Sequence, residues 1–582
     1  MQSPHDERAS REFRAFLTSD WKQWLSEYPE LATVLGVPGF NDRWTDESPA
    51  GRQHRRDHLE SLPAALERLD RNALGAADRF NYDLYVRMVE TARAGAALGF
   101  DPVPFDLGEP AHLLLPINQM DGIHLTAPQA LELAPQTSVK DYDDRLARLR
   151  VLPAAIETVQ RILEEGLHAH VTPARIAVRG VPEQIRNLIP ADPDVSGMLA
   201  TFQGLPAFLG PAEQTRLREE ARRAYRDFVV PALQSLLEFI EREYLPGCRD
   251  SIGASSLPDG ARLYTYLVRR NTTTELTPQQ IHEIGLREVA RLRSEMEAVM
   301  RKTGFTGSLD AFHTLLRTDR RFYWSTADDL VDGYRVIGKR TDPQLSRVFG
   351  RLPRLPYGVL PVPAYREAAS PGAYYQPGAP ATGRAGYFYA NTHRVDTRPK
   401  WEMEALSLHE AVPGHHLQIA LAQELDGLPE FRRETGPTAF IEGWGLYAES
   451  LGEELGFYGD PYSKFGQLTF DMWRSLRLVV DTGMHALGWT RDRAIGIFRE
   501  NTGMSEENIA VEVDRYIVWP GQALAYKIGQ LKFRELRGLA EQSLGARFDV
   551  RAFHDLVLGE GAIGLREVEG RVQAWIRARS AA

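Results

Sequence analysis

The sequence predicts a mostly helical protein in two lobes, and three observations lead there. Long stretches between residues 9 and 245, such as Asp144 to Gly166 and Ala212 to Tyr244, are rich in Ala, Leu, Glu and Arg, with apolar residues recurring every three and four positions. The chain has 582 residues, and single hydrophobic cores stop growing near about 250 to 300. A Pro, Gly and Ser cluster from Leu245-Pro246-Gly247-Cys248 to Leu257-Pro258-Asp259-Gly260 marks the break. The expected division is an N-terminal helical lobe at 1–250 and a helical lobe at 251–582 that carries the chemistry, the two packed as one unit.

Composition removes several classes of function. With 43% hydrophobic and 25% charged residues the chain is an ordinary globular protein. A net charge of -10 offers no basic footprint, so no nucleic-acid partner is expected. Cys248 is the only cysteine, which excludes an intramolecular disulfide and a thiolate cluster. Any metal must therefore be held by nitrogen and oxygen. The start Met1-Gln2-Ser3-Pro4-His5-Asp6-Glu7-Arg8 lacks the apolar core of a signal peptide, and no stretch reaches the ~18 apolar residues of a membrane span. The expectation is a cytoplasmic protein with no membrane partner, although a trimmed leader would leave the same sequence; the oligomeric state stays open.

Along the first half, breaks in the helical pattern are expected at 101–110 and 180–197, where proline and glycine cluster. No repeat of fixed period and no coiled-coil heptad is present. Helices resume after Leu276-Thr277-Pro278, with Thr277 as cap and Pro278 in the first turn, and run to Thr303. From Leu352 to Thr382 the composition shifts to Pro, Gly and Tyr. Arg384-Ala385-Gly386-Tyr387-Phe388-Tyr389-Ala390-Asn391 follows, and its three consecutive aromatics suit a strand. Such a strand would be a place for a substrate backbone to pair; an aromatic loop over the core fits the same residues. Thr397-Arg398-Pro399 is the expected start of the next helix, on which Trp401, Ala405, Leu408 and Val412 form one apolar stripe.

That helix leads into His409-Glu410-Ala411-Val412-Pro413-Gly414-His415-His416. Imidazole and carboxylate are the groups that hold a divalent metal. In the familiar His-Glu-x-x-His helix the fourfold spacing turns both histidines to one face and leaves the glutamate as general base. Here Pro413 occupies the second histidine's position and ends or kinks the helix. A distortion at Pro413-Gly414 would swing His415 back beside His409. His416 is the alternative, on the same helical face but about two turns away at about 1.5 Å per residue. A helix end with incidental histidines is the bland alternative.

A catalytic zinc takes three protein ligands and a water. The candidate third ligand is Glu442, within Phe440-Ile441-Glu442-Gly443-Trp444-Gly445, where an unpaired buried carboxylate would be costly. Glu449, two turns on, is placed to orient a ligand histidine from behind. Glu442 as a helix cap and Glu449 as a solvated residue fit the same stretch.

Four ordered motifs carry a resemblance: 409–418, Glu442-Gly443-Trp444 with Tyr447-Ala448-Glu449, Asp481-Thr482-Gly483-Met484-His485, and Pro520-Gly521-Gln522-Ala523 with Tyr526 and Gly529. With Leu276-Thr277-Pro278, Ile281-His282 and Leu257-Pro258-Asp259-Gly260 they resemble, over nearly the whole chain, a bacterial domain-of-unknown-function family marked by HExxPGHH and EGW. That family is grouped with the zincin, gluzincin-like metallopeptidases. More distantly, Gly414-His415 followed by Glu442 resembles helical oligopeptidases and carboxypeptidases; the Val412-Pro413 insertion departs from their spacing. The resemblance implies a two-lobed helical protein with a deep central cleft and zinc at its floor, beside a small β element.

Asp481 and His485, four apart on a predicted helix, share a face. His485 would then reach the transition-state oxygen and Asp481 would set its tautomer; a buried structural pair is the other reading. Of Tyr516 and Tyr526, which flank Pro520, Tyr526 has the better motif context for an oxyanion donor.

The expected function is a zinc-dependent hydrolase with one Zn2+ per chain on His409, His415 and Glu442, Glu410 as general base, and a short peptide or other small amide as substrate. Arg384, Arg394 and Arg398 would hold a substrate carboxylate, with Tyr387 beside them, which favours carboxypeptidase or oligopeptidase action. Hydrolysis of a non-peptide amide or ester uses the same groups. A metal-free peptide-binding protein derived from a zincin is the remaining class, and Glu410 argues against it.

Overall fold

The computed structural model describes residues 4–106, 108–363, 367, 371–380 and 383–581. Met1, Gln2 and Ser3 of the start read above, and parts of the Leu352 to Thr382 stretch, including Thr382 itself, lie outside them. The fold is mostly helical, 68% helix and 4% strand, with a small three-stranded sheet.

Local chemistry accounts for the main helix starts. Ser138 and Asp141 form a capping box that opens Val139–His168, and Thr277 with Gln280 forms another that opens Pro278–Lys302. Position 180–197 is not a simple break: Val181–Leu188 is a helix, because Pro182 sits in its first turn where no N–H is needed. Helical structure that begins at Pro211 continues through two wide turns to Gly247, and a 3-10 turn at Ala254–Ser256 precedes the helix Gly260–Thr272.

Side chains from 117 to 248 pack with one another, Leu146, Leu163, Leu217 and Tyr244 among them. The largest core cluster joins Leu84 to residues as distant as Ile576 and passes through Leu408, Val412, Leu417 and Trp444. The octet therefore sits inside a core. Helix Pro278–Lys302 lies along the buried helix Pro461–His485. No described helix is long and apolar enough to cross a membrane.

The strands are β1 (Tyr357–Pro361), β2 (Ala373–Gln376) and β3 (Gly386–Ala390), in the order β1-β3-β2. β1 pairs parallel with β3, Val359 opposite Phe388, and β2 pairs antiparallel, Tyr375 opposite Phe388. Period two on β3 buries Gly386, Phe388 and Ala390 and leaves Tyr387 and Tyr389 half-buried. The predicted aromatic strand is thus real but central, with both edges taken, so a substrate strand has no free edge on it. β1 and β2 arise in the stretch whose prolines and glycines hide them from a reading of the sequence.

The helix that bears His409 starts later than its sequence suggests. Arg398 is held extended (φ -111, ψ 89) before Pro399, as the proline ring demands, and 3-10 turns at Val395–Thr397 and Lys400–Glu402 precede the α-helix Met403–Glu410. It also ends before Val412, yet Trp401, Ala405, Leu408 and Val412 are all buried.

Candidate metal centre

Pro413 cannot continue a helix, and the helix ends at Glu410. The chain turns through Ala411, Val412 and Pro413, the Val412–Pro413 peptide being cis, and a second helix runs over His415–Gln423. Gly414 passes directly against the first helix: a Cβ there would fall 1.8 Å from the His409 carbonyl oxygen. Only glycine fits. The turn brings His415 back beside His409, ring centroids 4.7 Å apart and planes at 89°.

His416 points elsewhere. Its Nε2 donates to the Leu355 carbonyl at 3.1 Å and its Nδ1 accepts from the Tyr375 hydroxyl at 2.8 Å. Burial pushes it down to about 4, so it stays neutral, and with both nitrogens engaged it is not the alternative ligand.

Glu442 comes from the helix Thr438–Ser450, a turn after its start. Its Oε2 lies 3.5 Å from His409 Nε2 and 3.4 Å from His415 Nε2. The three ligand atoms fall within 4.8 Å of one another, the geometry of a possible metal site. Burial alone would raise the Glu442 carboxyl, but the two imidazoles hold it well below the usual range. Its Oε2 is buried with no hydrogen-bond partner, as is His415 Nδ1. A carboxylate oxygen and two imidazole nitrogens, close but beyond hydrogen-bond contact, fit a cation that takes nitrogen and oxygen ligands.

Glu449 completes the support. Seven residues after Glu442 on the same helix, it is fully buried and accepts from His409 Nδ1 at 2.8 Å. That bond holds a proton on Nδ1 and turns Nε2 toward Glu442. His409 rises to about 9: burial would lower it, but Glu442 and Glu449, and then Glu410, outweigh burial. Gly445 lies between the two glutamates and leaves room for the ring, since a Cβ there would sit 2.8 Å from His409 Cε1. Trp444 donates from Nε1 to the Pro413 carbonyl at 2.9 Å.

Glu410 closes its helix beside His409 and is half-buried. Tyr526, on the helix Leu524–Leu544, stacks on the His409 ring at 6.5 Å and 17°. Its hydroxyl accepts from Arg515 Nη2 at 3.1 Å, and the Arg477 guanidinium covers its ring at 4.4 Å.

His485 and Asp481 require a correction. His485 Nδ1 accepts from the Ala254 N–H at 2.9 Å and its Nε2 donates to the Tyr516 carbonyl at 2.9 Å. Burial holds it neutral, down to about 4. Asp481 does not set its tautomer; it accepts from the Tyr264 hydroxyl at 2.5 Å and the Gly521 N–H at 3.1 Å, and burial raises it to about 7. Both share a helix face as expected, but the helices Gly260–Thr272 and Glu506–Val518 and the turns at Ala254 and Gly521 supply their partners. His485 has no free nitrogen for a substrate oxygen.

The three arginines read as a carboxylate clamp take separate partners. Arg384 donates to the Val34 carbonyl at 3.3 Å, and exposed Arg394 pairs with Asp396 at 3.0 Å. Arg398 is half-buried near Tyr334 and Glu402, which oppose the lowering effect of its burial. Tyr387, half-buried on β3, packs beside Tyr389 at 6.0 Å. The cationic groups next to the site are instead Arg474, Arg477 and Arg515. Arg474 Nη2 comes within 3.8 Å of Glu449 Oε1. A signal for the first two was present: Gln467, Asp471, Arg474, Arg477, Asp481 and His485 repeat at threes and fours along a buried helix.

Residues 29–572 match the profile of a family described as "Bacterial protein of unknown function (DUF885)". The fold is similar to that of the "putative lipoprotein from Colwellia psychrerythraea", at 26% identity and a TM-score of 0.90 over 98% of this chain and 100% of that one. It is also similar to the structure of "a putative lipoprotein of unknown function from Shewanella oneidensis", at 16% identity and a TM-score of 0.68 over 96% of this chain and 99% of that one, a likeness of fold alone. No curated protein matches the chain.

Proposed function

We propose, for a chain that belongs to the bacterial DUF885 family of proteins of unknown function, a zinc-dependent hydrolase that cleaves short peptides. The carrying observation is the convergence of His409 Nε2 and His415 Nε2 on Glu442 Oε2, with Glu449 bound behind His409. This arrangement supports grouping the family with the zincin metallopeptidases.

His409, His415 and Glu442 would hold one zinc. When bound, the ion supplies Lewis acidity, which lowers the pKa of water toward about 7 and polarises an amide carbonyl. Glu410 accepts the proton of the attacking water and returns it to the departing amine. Glu449 keeps His409 in the tautomer whose Nε2 is unprotonated. Tyr526 accepts its hydrogen bond from Arg515, so its own O–H remains available to the oxyanion of the tetrahedral intermediate. His485 has no part in this scheme.

Zinc is chosen over cobalt, nickel or copper on donor chemistry and availability. The name of the Colwellia relative favours an envelope location over the cytoplasmic one expected above, and cell fractionation would decide between them. The central test is elemental analysis of the purified chain beside His409→Ala, then peptide and ester substrates with and without chelator. About one zinc per chain that His409→Ala loses, with chelator-sensitive peptide cleavage, is the expected result. Zinc-free protein prepared in the presence of zinc overturns the reading; ester cleavage alone moves it to another substrate.

A further inference from the structure

A cavity of about 940 Å³ lies between segments 100–126, 254–270 and 517–520 and the residues around Trp44 and Thr158. The triad is not in its lining, but the two lie near each other. Glu109, on the wall, feels the charge of Arg515. Arg515 donates to the Tyr526 hydroxyl, and the Tyr526 ring stacks on His409.

The wall has two characters. Trp44, Phe100, Tyr266, Leu267 and Trp519 give it apolar and aromatic surface. Its charged groups are unbalanced: seven carboxylates, from Glu30 to Asp121, against Arg43, Arg249 and Arg270. Several of these acids are answered locally. Glu47 and Asp101 lie 2.8 and 3.5 Å from buried Arg55, and Asp121 accepts from the Trp519 indole at 2.5 Å. Glu109 is less well served. Its nearest guanidinium, Arg270, is shared with Asp106 at 3.2 Å and also donates to the Gly108 carbonyl. Burial raises Glu109 to about 7 despite Arg270 and Arg515. Asn271, next in sequence to Arg270, is 1% exposed, and its amide oxygen and nitrogen are buried without hydrogen-bond partners.

An ammonium brings three donors and one positive charge. Placed on Glu109 it would give that carboxylate a counter-charge and donors of its own, and an attached apolar chain would cover the aromatic wall. We infer that this cavity binds a ligand with an apolar body and a primary ammonium, the ammonium seated on Glu109. This identification rests on the hydrolase proposed above, for which that ligand is a peptide with a free N-terminal amine.

The test uses the full-length protein and calorimetric titration with 4-phenylbutylamine and with 4-phenylbutyrate, which have similar bodies and opposite charge. Zinc content is measured on the same samples, so failure of the metal reading and failure of this one are told apart. Wild type should bind the amine at least tenfold more tightly than the acid, and Glu109→Gln should erase that preference. Should Glu109→Gln fail to fold, Asp106→Asn serves: it frees Arg270 to neutralise Glu109 and should weaken amine binding several-fold. His409→Ala should bind the amine as wild type does. Equal or absent binding of the two probes by wild type, a preference that survives Glu109→Gln, amine binding undiminished in Asp106→Asn, or amine binding lost in His409→Ala overturns the proposal.

Discussion

Trp444 Nε1 donates to the Pro413 carbonyl across 2.9 Å, a buried bond that ties the Glu442 helix to the turn between His409 and His415. Trp444→Phe keeps most of the ring and leaves that carbonyl unpaired, a loss of about 1–3 kcal/mol. Zinc affinity should fall about tenfold or more, as chelator competition would show. A lowered melting temperature with unchanged affinity would mean that the bond supports the core without setting the site.

Glu449 fixes the tautomer of His409, so its effect should be on metal affinity. Glu449→Gln is expected to weaken zinc about 10- to 100-fold, the range for groups behind a ligand histidine. Titration against a zinc indicator measures it. Wild-type affinity in the variant would show that the His409–Glu449 bond at 2.8 Å is not what orients the ring.

Glu410 has a chemical role and no ligand role in the proposal. Glu410→Gln should therefore retain about one zinc per chain and lose activity by at least about 100-fold, the scale of general-base catalysis. Elemental analysis and peptide turnover on one preparation check both. Full activity would remove Glu410 from the mechanism.

Gly445 is where a single methyl group tests the geometry. The added Cβ of Gly445→Ala would lie 2.8 Å from His409 Cε1 and 2.9 Å from Nε2, closer than carbon tolerates, so the ring must move. Zinc should be lost while circular dichroism stays helical. Retained zinc would show that the helix or the ring yields at little cost.

The buried histidines set an acid limit on stability. His485 is held neutral at about 4, and His554, bonded to the Val348 carbonyl and the Tyr447 hydroxyl, at about 3; burial is the main cause for both. Their folded values lie below the unfolded value of about 6.5. The unfolded chain therefore binds more protons below that pH, and stability falls as pH drops from about 6.5 toward 4. Each contributes a slope of up to about 1.4 kcal/mol per pH unit. Urea midpoints at pH 7, 6 and 5 should fall in that order, and a flat profile would refute it.

Some of this was legible in the sequence because the relevant chemistry is local. Helical periodicity, the Thr277 cap with Pro278, and the aromatic alternation of Gly386–Ala390 each depend on neighbours a few residues away. So does the conclusion that Pro413 must interrupt the helix, and that a nearby glycine allows the chain to return. Ligand types follow from the same logic, since one cysteine leaves only nitrogen and oxygen donors. The same local chemistry points to His409, His415 or His416, Glu442 and Glu449.

The tertiary structure decided what each candidate faces. His416 was separated from His415 by Tyr375 and Leu355, which lie 41 and 61 residues away and claim both of its nitrogens. His485 is held away from the triad by Ala254 and Tyr516, and the three arginines before the His409 helix find Val34, Asp396 and the neighbourhood of Tyr334 and Glu402. Spacing along a helix fixes a direction, but a buried polar group must take the nearest partner in three dimensions. That partner comes from whichever distant segment packs against it, which no local pattern in this sequence encodes.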